Sequence, residues 1–271
     1  WTAAFAVYTG WPFVSTRLDI ASMGQDAKPG IEEYARSARY AFFNSVADQE
    51  RCCWIATGHN KNDLAEDVLM RLVRGAGWPG LGGMPAVAPS RRLMRPLLMS
   101  SRPDIENFLA GIGLTWLEDE SNIDQAYFRN RVRSVFLPLV LKENPSFLDT
   151  VAGLWLLART DEAYFDELLS ETLATGKDII ACSSLCASEE VKFFTGLNQL
   201  KTLPKALRLR LYKYMLAKLG KGQPLLDNLL RLDAGLTSLL EGKGRQRESR
   251  HQFPGGKQAV VSSKGIRWEK S

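Results

Sequence analysis

The order of apolar and polar residues in the first 75 positions predicts alternating strands and helices. Short apolar runs predict strands at residues 11–18 and 52–57, the second of them buried. Longer stretches, in which apolar residues recur every three or four positions, predict helices at 31–47 and 62–74. Strands that alternate with helices in this way favour an α/β fold with a parallel sheet.

Beyond Pro145 the pattern is mostly helical. The spacing of amphipathic helices recurs in three segments, at 147–173, 203–219 and 224–240. Near the carboxyl end it changes to that of a small β-hairpin, with strands at 258–262 and 266–268. We therefore predict two domains, a parallel-sheet domain at 1–140 and a mainly helical domain with a terminal β-hairpin at 141–271.

The segment 75–89 interrupts the first predicted domain. It contains five glycines and three prolines, too many for regular structure. A loop of this length is a candidate for function, and a plain linker is the alternative. After it we predict a helix at Arg102–Ala110, because Ser100 or Ser101 can cap its start and Gly111 can end it.

Composition narrows the classes of protein without choosing a function. With 271 residues, 45% hydrophobic and 24% charged, the chain is long enough for one or two folded domains. Its formal charge of +5 permits binding to a polyanion without requiring it. The four cysteines lack the spacing of a zinc or redox motif, and we interpret them as reduced structural thiols. The sequence has no signal-peptide pattern and no long apolar run, so we expect a cytoplasmic protein that contacts no membrane.

The most informative polar cluster follows the second predicted strand, in the sequence Thr57-Gly-His-Asn-Lys-Asn-Asp. It places His59 and Asn60 at the carboxyl end of that strand, the edge at which open α/β sheets bind ligands. Asp63 and Glu66 follow in the next helix, three residues apart, so both carboxylates share one face and could hold a divalent ion or an ammonium group. Acids that complement the helix dipole are the alternative interpretation.

Arginines form a second cluster. Arg129, Arg131 and Arg133 are spaced two apart and cannot all share one helical face, which suits contacts to more than one anion. The solvated start of a basic helix is the alternative. Just upstream, Asp119 and Asn122 could either cap this helix or belong to an active site.

These segments resemble the signature of the tRNA(Ile)-lysidine synthetases, which belong to the PP-loop ATP pyrophosphatase superfamily. The turn described above continues into Leu69-Met-Arg-Leu-Val-Arg-Gly-Ala-Gly-Trp-Pro-Gly-Leu-Gly-Gly-Met. Four further segments occur in the family's order: Ile31-Glu-Glu-Tyr-Ala-Arg-Ser-Ala-Arg-Tyr, Arg95-Pro-Leu-Leu, Trp116-Leu-Glu-Asp-Glu-Ser-Asn and Tyr127-Phe-Arg-Asn-Arg-Val-Arg. The likeness is strong to about Pro138 and weaker beyond it, and it covers nearly all of the chain.

The resemblance implies a PP-loop fold for the first domain and a two-step ligase reaction. ATP adenylates O2 of the wobble cytidine of tRNA(Ile), with Mg²⁺ neutralising the leaving pyrophosphate. The side-chain amine of free L-lysine then attacks C2 and releases AMP. By this resemblance His59 and Asn60 would contact the nucleotide. Asp63 and Glu66 would hold the lysine ammonium, and Arg131, with Arg129 as the second choice, would hold its carboxylate.

Further residues are candidates for contacts to a substrate or to the tRNA. The residues concerned are Arg74, Trp78, Asp119, Asn122, Arg129 and Arg133. Trp78 could stack on a base or simply anchor the glycine-rich loop. Basic residues in and before the helix at 203–219 suit phosphate contacts, although a solvated surface would look the same. The family includes homodimers, but the sequence indicates no interface.

Two departures from the family pattern stand out. The Ser-Gly-Gly-x-Asp-Ser loop that cradles the ATP phosphates occurs nowhere in the 271 residues. We therefore expect a PP-loop domain without its N-terminal part, and weak ATP binding. Asn62 stands where relatives more often have Asp, which removes a candidate Mg²⁺ ligand.

Two other functions remain open. A tRNA thiolase of the same superfamily shares the Gly-His-Asn turn, but such enzymes rely on catalytic or cluster-binding cysteines. Cys52 and Cys53 lie within a predicted apolar strand, which argues against that activity. A noncatalytic tRNA-binding module that has lost its ATP loop is the other alternative.

Overall fold

The computed structural model describes residues 2–17, 31–117, 127–175, 179–181, 193–242 and 248–270. The chain divides into two compact units. The first unit comprises residues 1–74 and 83–153, and the second comprises 75–82 and 154–271. In the described part of the chain, no helix combines the length and the apolar character that crossing a membrane requires.

The first unit is built around three short strands. Strand β1 (Ile55–Ala56) runs parallel to β3 (Leu93–Met94), and β3 runs antiparallel to β2 (Val87–Ala88), giving the order β1-β3-β2. The helices are α1 (Thr2–Thr9), α2 (Ile31–Gln49), α3 (Lys61–Val73), α4 (Arg102–Gly111), α5 (Phe128–Arg131) and α6 (Leu137–Glu143). A π-helical segment, Val132–Phe136, joins α5 to α6. The α/β class is therefore confirmed, with a sheet that is mixed in the described residues.

Local hydrogen bonds explain where α3 and α4 begin. The Asn60 side chain accepts a hydrogen bond from the Asp63 N–H at 3.1 Å, and the Asp63 carboxylate accepts one from the Asn60 N–H at 3.0 Å. Ser101, one of the two serines that the sequence offered as a cap, caps α4 in the same reciprocal way. The Asn62 side chain also accepts a hydrogen bond from the Arg102 N–H at 2.9 Å. The first turns of the two helices are therefore tied together.

The second unit packs helices against a five-stranded antiparallel sheet. Its helices are α7 (Phe147–Thr175), which begins in the first unit, α8 (Leu197–Thr202), α9 (Lys205–Lys218) and α10 (Leu226–Leu240). The sheet has the order β4-β5-β8-β7-β6 and consists of β4 (Ile179–Ala181), β5 (Phe193–Gly196), β6 (Glu248–Phe253), β7 (Lys257–Ser262) and β8 (Gly265–Lys270). Trp268 and Tyr212 are fully buried between sheet and helices, with ring centroids 5.6 Å apart. Leucines of α9 and α10 complete this core.

The long helices predicted from apolar spacing are confirmed, each to within two residues at either end. The predicted hairpin is also confirmed, with the longer strands β7 and β8. It is not an isolated hairpin, because β6 pairs with β7 and β5 pairs with β8. The sequence did not reveal β6 because its residues, Glu-Ser-Arg-His-Gln-Phe, are mostly polar. The second unit therefore has more sheet than the sequence predicted.

Two predicted strands and one predicted loop are corrected. No strand forms at residues 11–17, the described part of the run at 11–18, and Trp11 is 75% exposed with no strand pairing beside it in the described residues. The strand predicted at 52–57 shortens to β1 and is not buried, because Ala56 is exposed and Ile55 is only partly buried. The Cys52 N–H donates to the Ala47 carbonyl at 2.7 Å, so this residue closes α2 instead of starting a strand. The glycine-rich segment is partly regular, with a 3₁₀ turn at Gly80–Gly82 and strand β2.

Candidate active site

A pocket of about 340 Å³ lies where β1 ends and α3 begins, in the first unit. Its lining residues are Gly58, His59, Asp63, Arg129, Asn130 and Arg133. This is the carboxyl end of the parallel strand pair, the edge at which α/β proteins bind ligands. His59 is held in place by Thr57, whose hydroxyl lies 2.8 Å from Nδ1.

Two acids from α3 and two arginines from the helix that starts at Phe128 form one ion-pair network. Arg129 donates to Glu66 Oε2 at 2.9 Å and to Asp63 Oδ1 at 2.7 Å. Arg133 donates to Glu66 Oε1 at 2.6 Å, to Glu66 Oε2 at 3.1 Å and to Asp63 Oδ1 at 3.1 Å. Asp63 uses its second oxygen for the α3 cap, as described above. The sequence prediction that Asp63 and Glu66 share one helix face is therefore confirmed.

Burial differs sharply within this network. Glu66 is 1% exposed, whereas the side chains of Arg129 and Arg133 are 37% and 27% exposed. Glu66 therefore lies beneath the arginines, and the groups that face the pocket are mainly hydrogen-bond donors. Hydrogen bonding to Glu66 raises the pKa of Arg133 despite its partial burial. A pocket of this kind can bind an anion while its own acids hold the guanidiniums in position.

His59 belongs to the same electrostatic environment. Burial lowers its pKa, and the nearby guanidiniums of Arg95, Arg129 and Arg36 lower it further, while Asp63 opposes them. At neutral pH the imidazole is therefore uncharged, so one of its ring nitrogens donates and the other accepts.

The three arginines separate into two groups. Arg129 and Arg133 lie one helical turn apart and face the acids, whereas the Arg131 guanidinium lies 5.6 Å from the centre of the Phe128 ring. Arg74 approaches the same ring at 5.7 Å. The prediction that the three arginines do not share one helical face is confirmed. Neither Arg131 nor Arg74 lines the pocket.

The remaining sequence candidates lie elsewhere. Asn60 contributes its side chain and its N–H to the α3 cap. Trp78 belongs to the second unit, where its indole N–H donates to Asp161 at 2.9 Å. Asp119 and Asn122 fall outside the described residues.

Arg95 is a residue of this region to which the sequence interpretation gave no role. It is 7% exposed, and one terminal N–H donates to the Pro85 carbonyl at 2.7 Å. Its Nε has no hydrogen-bond partner in the described part of the chain. The available signal was its place at the start of the Arg95-Pro-Leu-Leu segment, one of the segments that resemble the family.

Residues 9–140, which contain every residue of this pocket, match the PP-loop domain family. Over 265 residues the chain is 38% identical to the tRNA(Ile)-lysidine synthase of Nitratidesulfovibrio vulgaris, covering 93% of this chain and 73% of the relative. The chain belongs to the tRNA(Ile)-lysidine synthase family. The family resemblance found in the sequence is thereby confirmed.

Other members of the lysidine synthase family match along shorter parts of their length. The enzyme of Geobacter sulfurreducens is 35% identical over 211 residues, which are 78% of this chain and 43% of the relative. That of Geobacillus kaustophilus is 29% identical over 233 residues, 85% of this chain and 48% of the relative. The chain thus spans less than half of these two relatives. Among solved structures, the U34-tRNA thiolase NcsA from Methanococcus maripaludis with its 4Fe-4S cluster is 19% identical, with a TM-score of 0.42, covering 69% of this chain and 60% of that one.

Proposed function

We propose that this protein is a tRNA-modifying ligase that joins L-lysine to C2 of the wobble cytidine of tRNA(Ile), using ATP. The observation that carries the proposal is the 38% identity to a lysidine synthase across 93% of the chain. The pocket of acids and arginines at the carboxyl end of the parallel strands supports it, because an amino acid substrate carries both a cation and an anion.

The proposed reaction has two steps, which together set three requirements for the protein. In the first step, ATP supplies the adenylyl group that turns O2 of cytidine into part of a leaving group. The lysine side-chain nitrogen then forms a bond to C2, the C2–O2 bond breaks, and AMP leaves with that oxygen. The attacking amine must be neutral, so the protein has to bind lysine, supply a base that accepts a proton from its side-chain ammonium, and exclude water from C2.

Asp63 and Glu66 are our candidates for the lysine ammonium. An ionised carboxylate accepts about four hydrogen bonds. Glu66 receives three from the arginines, and Asp63 receives two from them and one from the cap. The bound ammonium therefore either takes the remaining acceptor position or displaces an arginine N–H. In both cases the acids bind it in a partly desolvated site, where charge pairing is strong.

The lysine carboxylate needs a guanidinium, and the family resemblance pointed to Arg131. Because Arg129 lines the pocket and Arg131 stacks beside Phe128, we propose Arg129 as the direct contact and Arg131 as the alternative. A guanidinium binds a carboxylate through two parallel hydrogen bonds, which fixes the direction of the bound amino acid. The amine would then point consistently toward the acids.

We propose that His59 contacts the nucleotide as a neutral donor, with Asn60 supporting the turn. For Mg²⁺ the described residues fit poorly. They contain no group of three or more His, Cys, Asp or Glu side chains that could hold an ion. Asp63 and Glu66 are engaged by arginines as well. We therefore assign Mg²⁺ no ligand and no step here.

The tRNA contacts remain proposals for Arg74, Trp78, Asp119, Asn122 and Arg133. Arg133 is paired with Asp63 and Glu66. It would therefore contribute to RNA binding through the positive electrostatic potential of the pocket and not through a direct hydrogen bond to the RNA. Homodimerisation is a proposal that rests on the family alone, and a cytoplasmic location is a proposal that rests on the sequence pattern described above.

The test is incorporation of radiolabelled lysine into a tRNA(Ile) transcript with ATP and Mg²⁺. Protein from the whole open reading frame and the 271-residue chain are assayed side by side, because the sequence lacks the Ser-Gly-Gly-x-Asp-Ser loop. A transcript with uridine at the wobble position is the matched control and should take up no lysine. Absence of incorporation by both proteins would reject the proposed ligase.

One correction to the sequence interpretation keeps the thiolase alternative open. Cys52 and Cys53 are free and exposed, so burial no longer argues against a role for them. If the protein were a thiolase, replacing both cysteines with serine would abolish sulfur transfer to tRNA. We expect the double variant to keep full lysine incorporation.

A further inference from the structure

The second unit contains a cleft of its own, with a volume of about 390 Å³. The segment 75–82 and helices α7, α9 and α10 form its walls, and leucines of the three helices form much of its apolar surface. Trp78, Tyr214, Asp166, Arg210 and Lys213 also line it. The volume lies within the ~300–1,000 Å³ range typical of small-ligand sites. The proposed ligation reaction uses no group in this cleft except Trp78, a general candidate for tRNA contact.

Trp78 is a preorganised stacking surface. Its side chain is 41% exposed, although the indole N–H donates to Asp161 at 2.9 Å. The hydrogen bond restricts rotation of the ring, while the exposure leaves aromatic surface open to a ligand. Stacking on a fixed aromatic ring is how proteins commonly hold an unpaired base.

Two basic side chains of α9 line the same cleft. The Arg210 guanidinium lies 3.5 Å from the centre of the Phe165 ring, and one of its N–H groups donates to the Ala206 carbonyl at 3.2 Å. Lys213 follows three residues later and is exposed. An arginine already stacked on a ring loses little freedom when it binds an anion. These two side chains therefore suit a phosphate group.

Three acids lie near this wall, and two of them are engaged. Asp161 accepts the Trp78 N–H, and Glu162 pairs with Arg159 at 2.5 Å. Asp166 is the third, and its carboxylate is an acceptor for the amino group of a base. Adenine, cytosine and guanine each carry such a group, whereas uracil does not.

We infer that this cleft binds one unstacked nucleotide of an RNA substrate, with the base on Trp78, its amino edge toward Asp166 and its phosphate toward Arg210 and Lys213. The inference rests on the proposed function, in which the RNA is tRNA. It adds a nucleotide-binding site in the second unit to the reaction pocket of the first. It also adds a preference against uridine.

Binding of the four ribonucleoside 5′-monophosphates to the whole chain, measured by titration calorimetry, tests this site. We expect AMP, CMP and GMP to bind more tightly than UMP. Trp78→Leu should weaken their binding about tenfold or more, the usual effect of losing one base–aromatic stack. Trp78→Phe should retain binding because it keeps an aromatic face. Trp54→Leu is the matched control, since Trp54 is equally exposed, at 42%, but lies in the first unit.

Asp166→Asn tests the base preference separately, and we expect it to bring the affinities for UMP and CMP together. If Trp78→Leu and Trp54→Leu reduce the affinity for nucleotides equally, the inference is overturned. It is also overturned if none of the four nucleotides binds. Nucleotide binding that depends on Trp78 in a protein that forms no lysidine would reject the proposed ligase and leave this site standing. If the protein forms lysidine but its nucleotide binding does not depend on Trp78, the proposed ligase stands and this nucleotide site is rejected.

Discussion

Arg133 and Glu66 form the shortest of the ion-pair contacts in the pocket, with Nε donating to Oε1 at 2.6 Å. A second hydrogen bond joins the same two side chains at 3.1 Å. Glu66 is 1% exposed, so its carboxylate depends on the arginines above it, and not on water, for hydrogen bonds. This dependence determines how substitutions in the pocket should act.

Removing both arginines should destabilise the first unit by more than the sum of the single effects. In Arg129→Ala or Arg133→Ala, Glu66 keeps one guanidinium partner, and we expect a loss of about 1 kcal/mol from each partly exposed pair. The double variant leaves a buried carboxylate without a cation, which typically costs about 3–5 kcal/mol. Urea denaturation of the four proteins measures the cycle. Additive free energies would contradict the shared role of Glu66.

Glu66→Ala should weaken lysine use far more than ATP use. We expect KM for lysine to rise about tenfold or more, the size of a lost charge-assisted contact, while KM for ATP changes little. Asp67→Ala is the control, because this neighbouring acid pairs with Arg71 on its own helix, whereas Glu66 pairs with the pocket arginines Arg129 and Arg133. Steady-state kinetics in each substrate distinguish the two constants. Equal losses for lysine and ATP would reject the assignment.

The contact to the lysine carboxylate can be identified with 1,5-diaminopentane, which is lysine without that group. In the wild-type protein the diamine should be the poorer substrate. If Arg129 holds the carboxylate, Arg129→Ala should reduce the use of lysine about tenfold or more and leave the diamine unaffected. Arg131→Ala should then have a small effect on both. The opposite result would favour Arg131, as the family resemblance first indicated.

Asp233 should be a major contributor to the stability of the second unit. It accepts hydrogen bonds from Arg208 at 2.7 and 3.0 Å and from the Tyr212 hydroxyl at 3.0 Å, and it is 2% exposed. Asp233→Ala should therefore cost about 3–5 kcal/mol. Asp227→Ala, which removes an exposed pair with Arg231 on the same helix, should cost less than about 1 kcal/mol. Similar shifts of the unfolding midpoint in the two variants would contradict this view.

Stability should fall as the pH drops below about 6.5, because the pKa of His59 is lowered in the folded protein. Between its folded and unfolded pKa values the unfolded chain binds the proton and the folded chain does not, so protonation favours unfolding. Burial lowers the pKa of His251 as well. Thermal unfolding from pH 7.5 to 5 measures the effect. The His59→Gln and His251→Gln variants should each show a smaller loss of thermal stability between pH 7.5 and 5. An unchanged pH profile in His59→Gln would contradict the prediction.

The sequence alone determined the features that depend on neighbouring residues. Long helices followed from apolar spacing, and the start of α4 followed from the two serines before it, because both depend on residues within a few positions. The same is true of the turn that brings His59 to the end of β1 and places Asp63 and Glu66 on one face of α3. Family membership also followed from motifs within the chain.

Tertiary structure alone decided which distant groups meet. Glu66 pairs with Arg129 and Arg133 across more than 60 positions, and Phe193 of β5 pairs with Trp268 of β8. Such contacts depend on how whole helices and strands pack against one another. No local spacing of residues encodes that packing, so the sequence supplied the charged side chains of the pocket but not their pairing.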